Sequence, residues 1–310
     1  PNSAQQDAVL MRSDGVPLYN LGAVVDDVTM GITLVARGRD HMINTPIQIL
    51  LYQALGAELP AFAHLPMMLG ADGAKLSKRH GAVAVGDYRD KGIPASGLLN
   101  YLVRFGWSHG DEEVFSVADL VQKFDWEHCG KGDGKYDQKK FEAIIFEHLK
   151  RPDLTSDAAY ADEVLPFLAQ RGLTDVPRQR LLQALPLVRE RAQTFVEAAN
   201  ALDYFFRDLP VLDEKAAKKF LVADKAAHLG ALREVLAAAP VFEAKPLEEG
   251  VTAWLAGRGL ELKDVAQAAR VAVTGRSASP GLFEVIAVLG KDVVLARLDR
   301  AVSLVAAASA

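Results

Sequence analysis

A chain of 310 residues, half of it hydrophobic and 24% charged, has globular rather than disordered or fibrous composition, and its length predicts about two domains. Its formal net charge of −5 excludes a global field that attracts polyanions, so such a partner must be met by local basic patches. The one cysteine, Cys129, excludes an internal disulfide and a zinc site built from several cysteines.

No apolar run approaches the roughly 18–20 residues of a bilayer span, and no basic-apolar leader opens the chain, which predicts a cytoplasmic protein without membrane contact. The first residue is Pro1, and the polar lead-in "PNSAQQD" carries no start signal, so either a removed N-terminus or a piece of a longer chain is expected.

The first part reads as mixed α/β. "AVLMRS" (8–13) is a short strand candidate, followed by an Asp-Gly turn at 13–17. "ITLVARG" (32–38) is β-branched and apolar, which predicts a buried strand. "NTPIQILLYQALG" (44–56) predicts a helix capped by Asn44 or Thr45, with Pro46 in its first turn and Gly56 at its end. "AFAHLPMML" (61–69) is a further apolar run, and a basic loop, "ADGAKLSKRHGAVAV" (71–85), follows it. Strand, helix, strand, loop is the order in which α/β folds place ligands beyond the strand ends.

After about residue 86 the pattern turns helical. "ASGLLNYLVRFG" (95–106) and "DQKKFEAIIFEHL" (137–149) carry helical spacing, the second capped by Asp137 with Phe141, Ile145 and Leu149 on one face. The glycines of "HCGKGDGKYD" (128–137) follow no dinucleotide-binding pattern and read as a flexible loop. From 151 onward every periodic stretch is helical, including 178–191, 225–239 and 291–308, and "SPGLFEVIAVLG" (279–290) shows Ser279 as cap and Gly290 as stop. Three parts are expected: 1–85, 86–150 and an all-helical 151–310, the last divisible near 210–225.

The basic loop is the strongest chemical signal. Lys75 and Lys78 are three apart, with Ser77 between them and a tight turn at Asp72-Gly73 before them. Mobile ammonium groups on such a loop suit a reaction in which negative charge grows on phosphate. No GxxxxGK[ST] occurs, so P-loop chemistry is not expected.

"KLSKR" (75–79) after "HLPMMLGADGA" resembles the KMSKS signature of class I aminoacyl-tRNA synthetases. "RSDGVPLYNLGAVVDDVTMGITLVARGRDH" (12–41), "NTPIQILLYQALG" (44–56) and "LLNYLVRFGWSHGDEEVFS" (98–116) resemble the flanks of that loop in bacterial glutamyl-tRNA synthetases, and "RVAVTGRSASPGLFEVIAVLG" (270–290) resembles the end of their anticodon-binding region. The resemblance implies the second half of a class I Rossmann-type catalytic domain, an α/β fold, followed by an all-α anticodon-binding region. It implies a ligase that activates L-glutamate with ATP and Mg²⁺ to glutamyl-adenylate and charges tRNA(Glu), as a cytoplasmic monomer without zinc in this chain.

By the same resemblance Lys75, Ser77 and Lys78 act on the phosphates, with Lys78 favoured for the pyrophosphate. Arg79, Asp40 and His41 lie on the ATP side, Arg37 reads the side-chain carboxylate of glutamate, and Tyr19 lines the amino-acid pocket. A guanidinium offers two parallel donors to a carboxylate and matches an amide poorly. Arg39 stands where the family more often has an acidic residue, and Ala23 where some members have an asparagine, so no contact is carried over at Ala23. Arg189, Arg191 and Arg276 are candidate RNA contacts on the helices. No HIGH-like motif occurs in these residues, so a C-terminal piece is expected that is inactive alone, the alternative being a non-catalytic tRNA-binding module.

Overall fold

The structure, a computed structural model, describes residues 5–70, 72–76 and 84–308. The chain packs as two units, one formed by Pro1–Ala84 with Leu99–Phe141, the other by Val85–Leu98 with Glu142–Ala310.

In the first unit β1 (Leu34–Gly38) pairs in parallel with β2 (Ala61–Leu65), in a register that sets Arg37 beside His64. The connection runs through a 3-10 turn, Arg39–Asn44, and a helix, Thr45–Ala54. That helix packs on Tyr19–Met30 around Val24, Leu51 and Tyr52, with Leu21, Ile47 and Phe62 against them. The strand expected to be buried is not: Leu34 is 40% exposed and none of β1 is fully covered. The apolar run signalled strand type correctly, but burial depends on what lies over the sheet. The 8–13 candidate forms a tight hairpin instead of a strand, with one bridge between Met11 and Pro17.

Two short strands complete this unit, β3 (Met68–Leu69) paired in parallel with β4 (Gly134–Lys135). Part of the glycine-rich stretch read as a loop is therefore strand. Its composition hid the reason: a Cβ on Gly134 would lie 2.7 Å from the Phe105 ring and 3.1 Å from the Phe105 carbonyl oxygen. Only glycine lets the two backbones meet there. A second cluster, Trp107, Phe115 and Leu120, lies under the Val117–Lys123 helix, whose Ser116 and Asp119 form a reciprocal cap.

The described residues of the second unit are helical. Leu229, Leu232 and Leu236 of the Ala223–Ala238 helix are buried where it packs along Lys291–Ala308, which buries Val294, Leu298, Ala301 and Val305 at alternating spacings of four and three. The helix after Ser279 begins later than the sequence suggests: Gly281 is its cap residue and Leu282 its first residue, because Arg270 takes the Ser279 hydroxyl.

Arg297, 1% exposed, ties this unit together. Its Nε donates to the Asp208 carbonyl at 3.1 Å, its Nη2 to the carbonyls of Tyr204 (2.6 Å) and Arg207, and its Nη1 to that of Val273. Burial lowers its pKa to about 10, which still leaves it charged at neutral pH. Nearby, Asp203 receives Arg171 at 2.7 Å and Arg276 at 2.8 Å, with Arg207 at 3.7 Å.

Gly275 closes the Leu262–Thr274 helix at φ 78° and packs against the 203–213 connector, its carbonyl oxygen accepting the Asp213 N–H at 2.8 Å. An added Cβ would meet the Val211 carbonyl oxygen at 2.1 Å. Gly275→Ala is expected to destabilise this unit by more than about 2 kcal/mol, from strain and overlap combined. Gly172 has φ 79° but open space around it, so Gly172→Ala should cost only about 1 kcal/mol. Urea unfolding of the two variants gives the comparison, and equal losses would contradict the overlap account.

His148 is fully buried on the Gln138–Lys150 helix, with Nδ1 3.0 Å from the Ser96 hydroxyl. Burial lowers its pKa from 6.5 to about 4. The unfolded chain then binds the extra proton first as pH falls, so His148 favours the fold above its unfolded pKa and loses that contribution between about pH 6.5 and 4. The loss approaches roughly 3 kcal/mol. His148→Gln should flatten the pH dependence of chemical denaturation over this window.

Candidate substrate and phosphate site

The C-terminal end of β1 carries the expected side chains. Arg37 and His64 are parallel-strand neighbours, so they leave the sheet on the same face. Thr45, the first residue of the following helix, reaches both: its hydroxyl is 2.9 Å from Arg37 Nη2 and 3.0 Å from His64 Nε2. The expected side-chain cap at Asn44 or Thr45 is absent, because the Thr45 hydroxyl is engaged with these two groups and the 3-10 turn leads the backbone into the helix. Arg37 lies 5.8 Å from the Phe62 ring centroid, and its Nε is buried without an acceptor among the described residues. A buried donor left unfilled costs about 1–3 kcal/mol, which an incoming carboxylate can recover.

Tyr19, at the start of the Tyr19–Met30 helix, is 53% exposed and so is not core filling. Its hydroxyl is 3.2 Å from His41 Nδ1, and Asn44 Nδ2 is 3.4 Å from the same nitrogen. The two contacts hold the His41 ring between the start of the Tyr19–Met30 helix and the 3-10 turn.

Lys75 is set by a hairpin. Gly70 N–H donates to Ala74 O at 2.8 Å, Gly73 turns at φ 78°, and Lys75 bridges back to Leu69. From there its ammonium reaches Asp40 at 2.6 Å, and this contact holds the Asp40 carboxyl below its usual range. Arg39 pairs at 2.5 Å with Asp133, which also accepts the Met67 N–H at 2.8 Å. The unusual positive residue at 39 is thereby matched by a carboxylate on the segment leading into β4. Asp27 accepts a long bond from Tyr52 at 3.4 Å. Ser77, Lys78 and Arg79 lie outside the described residues.

Thus Tyr19, Arg37, Asp40, His41 and Lys75 lie on neighbouring segments of one unit. Sequence reasoning missed three partners: Thr45, taken only as a cap, and His64 and Asp133, given no role. Strand register and the 66-residue separation of Met67 from Asp133 left no local signal for them.

The arginines expected on the RNA side divide. Arg189 is 4% exposed; its guanidinium donates to the carbonyls of Leu149 and Thr155, pairs with Asp157 and lies over the Tyr160 ring. It cannot present donors to RNA, and the expectation is corrected: its charge satisfies buried carbonyls. Arg191 is exposed, with a long bond to Ser279 O at 3.4 Å. Arg276 is half-buried, shared between Asp203 and the Tyr204 ring.

Two families of known proteins match successive parts of the chain. The family "tRNA synthetases class I (E and Q), catalytic domain" matches residues 1–143, and "Anticodon binding domain" matches 159–302. The glutamate–tRNA ligase of Nitratidesulfovibrio vulgaris strain Hildenborough is 48% identical over 300 residues, 96% of this chain and 64% of that protein. That of Anaeromyxobacter dehalogenans is 47% identical over 302 residues, 97% of this chain and 63% of that protein. The crystal structure of a glutamate tRNA ligase from Elizabethkingia meningosepticum in complex with its amino acid superposes with a TM-score of 0.76 at 26% identity, covering 98% of this chain and 63% of that one. The chain therefore spans a little under two thirds of the length of the relatives it matches. A class I half-sheet with a basic signature loop, an all-helical second unit and these matches agree: the chain belongs to the class I tRNA synthetases of the glutamate and glutamine group.

Proposed function

We propose that the chain contributes to a glutamate–tRNA ligase, which joins the α-carboxylate of glutamate to the α-phosphate of ATP, releases pyrophosphate, and passes the glutamyl group to tRNA(Glu). The observation that carries this reading is Arg37, a half-buried guanidinium with an unfilled donor at the C-terminal end of a parallel strand. Such a group favours a carboxylate side chain over an amide.

In this reading Arg37 holds the glutamate side chain and Tyr19 lines the amino-acid pocket. Asp40, His41 and Arg79 border ATP, which enters as its Mg²⁺ complex. Lys75, Ser77 and Lys78 act on the phosphates, and the lysines stabilise the charge that develops on the leaving pyrophosphate. Residues 1–85 form the catalytic part, 86–150 meet the acceptor stem, and 151–310 read the anticodon arm; the protein works as a monomer in the cytoplasm. Arg191 and Arg276 remain the candidate RNA contacts.

ATP–pyrophosphate exchange by the complete gene product tests the catalytic reading. Arg37→Ala should raise the glutamate KM about tenfold or more, on the scale of a lost charge-assisted pair, and leave the ATP KM within about twofold. An unchanged glutamate KM refutes the assignment.

A second measurement separates the two neighbouring arginines. Arg191→Gln should weaken tRNA binding and lower the salt slope of the affinity by about one. Arg189→Gln should instead lower thermal stability, because it leaves buried carbonyls and Asp157 without their donor. A salt slope unchanged by Arg191→Gln removes that residue from the interface.

A further inference from the structure

We propose that Thr45 and His64 are positioning residues for Arg37, forming a relay that holds its guanidinium in the orientation that suits a carboxylate rather than an amide. The proposal rests on the reading of Arg37 as the group that binds the substrate side chain.

The direction of the relay follows from proton counting. Arg37 Nη2 can only donate, so at 2.9 Å the Thr45 oxygen accepts. The hydroxyl has one proton to give. His64 Nε2 stands 3.0 Å away and the His41 carbonyl oxygen 3.5 Å, so the proton goes to His64. His64 Nε2 is then the acceptor, and the ring carries its proton on Nδ1.

Three features make this more than incidental packing. The strand register fixes Arg37 and His64 side by side on one face, so the relay is set by backbone pairing. Thr45, the first residue of the helix whose cap position is Asn44, spends its hydroxyl on the arginine and the histidine. The guanidinium is anchored by Nη2 while Nε stays buried without an acceptor among the described residues, so its remaining donors are oriented and unspent.

The consequence is selectivity. With one lone pair held by Arg37 and its proton turned to His64, the Thr45 hydroxyl is fixed in orientation and in turn fixes the guanidinium. The guanidinium donors held this way match the two oxygens of a carboxylate better than the single oxygen of an amide. Loss of the relay frees the guanidinium to rotate, which weakens carboxylate binding and admits glutamine.

The test is steady-state ATP–pyrophosphate exchange by the complete gene product, with glutamate and glutamine as substrates. Thr45→Val keeps the volume and removes the hydroxyl; it should raise the glutamate KM about tenfold with the ATP KM unchanged, and narrow the preference for glutamate over glutamine. Thr45→Ser should restore both within about threefold, since it returns the hydroxyl. His64→Leu should reproduce the Thr45→Val phenotype, and His64→Gln, whose carbonyl oxygen can accept the threonine proton, should rescue part of it. If Thr45→Val and His64→Leu leave KM and selectivity intact while Arg37→Ala abolishes glutamate use, the relay is overturned and the role of Arg37 stands. If Thr45→Ser is as damaged as Thr45→Val, the hydroxyl is irrelevant and the proposal fails. If Arg37→Ala itself leaves the glutamate KM unchanged, the underlying reading of the site fails with it.

Discussion

The parallel register of β1 with β2 is the constraint on which the site depends. A parallel ladder fixes side chains in pairs, and a slip of one residue would send Arg37 and His64 to opposite faces. The pairing from Leu34–Ala61 to Gly38–Leu65 therefore decides which groups can share Thr45. The same pairing brings the chain out at Gly38 into the 3-10 turn that carries Arg39, Asp40 and His41. Backbone hydrogen bonds thus set the spacing of the polar groups at the strand ends.

The helical unit solves a different problem by related means. Where helices end and the connector 203–208 crosses them, backbone carbonyls lose their partners. Arg297 supplies donors to four of them from one fully buried side chain, and Arg189 does the same for Leu149 and Thr155. Asp203 then draws Arg171 and Arg276 to the same region. In a unit with no strand among its described residues, arginines take the place of a ladder in satisfying irregular backbone.

Local physics was well represented in the amino-acid pattern. The helices at 45–54, 138–150 and 291–308, the Asp137 cap, the turn at Gly73 and the separation into α/β and all-α parts follow from periodicity, caps and glycine placement. Of the candidate site residues the motif singled out, Tyr19 pairs with His41 and Lys75 with Asp40, while Arg37 turns to Thr45. What escaped is non-local. Exposure of β1, the strand made by Gly134–Lys135, the partnership of Arg39 with Asp133 and the burial of Arg189 all depend on which distant segment comes alongside. Charge alone misled for Arg189, since an arginine pattern on a helix looks the same whether it faces water or a set of carbonyls.

The ion pair between Lys75 and Asp40 gives the signature loop an internal competitor. Any anion that recruits Lys75 must first displace a carboxylate already held at 2.6 Å. Both side chains are solvent-accessible, 62% and 36% exposed, so water and salt weaken the contact. The competitor is therefore weak, and that weakness has a use. A lysine parked this way stays oriented while idle, yet exchanges one anion for another at small cost in each direction. Such a lysine passes from one anion to another without gripping either.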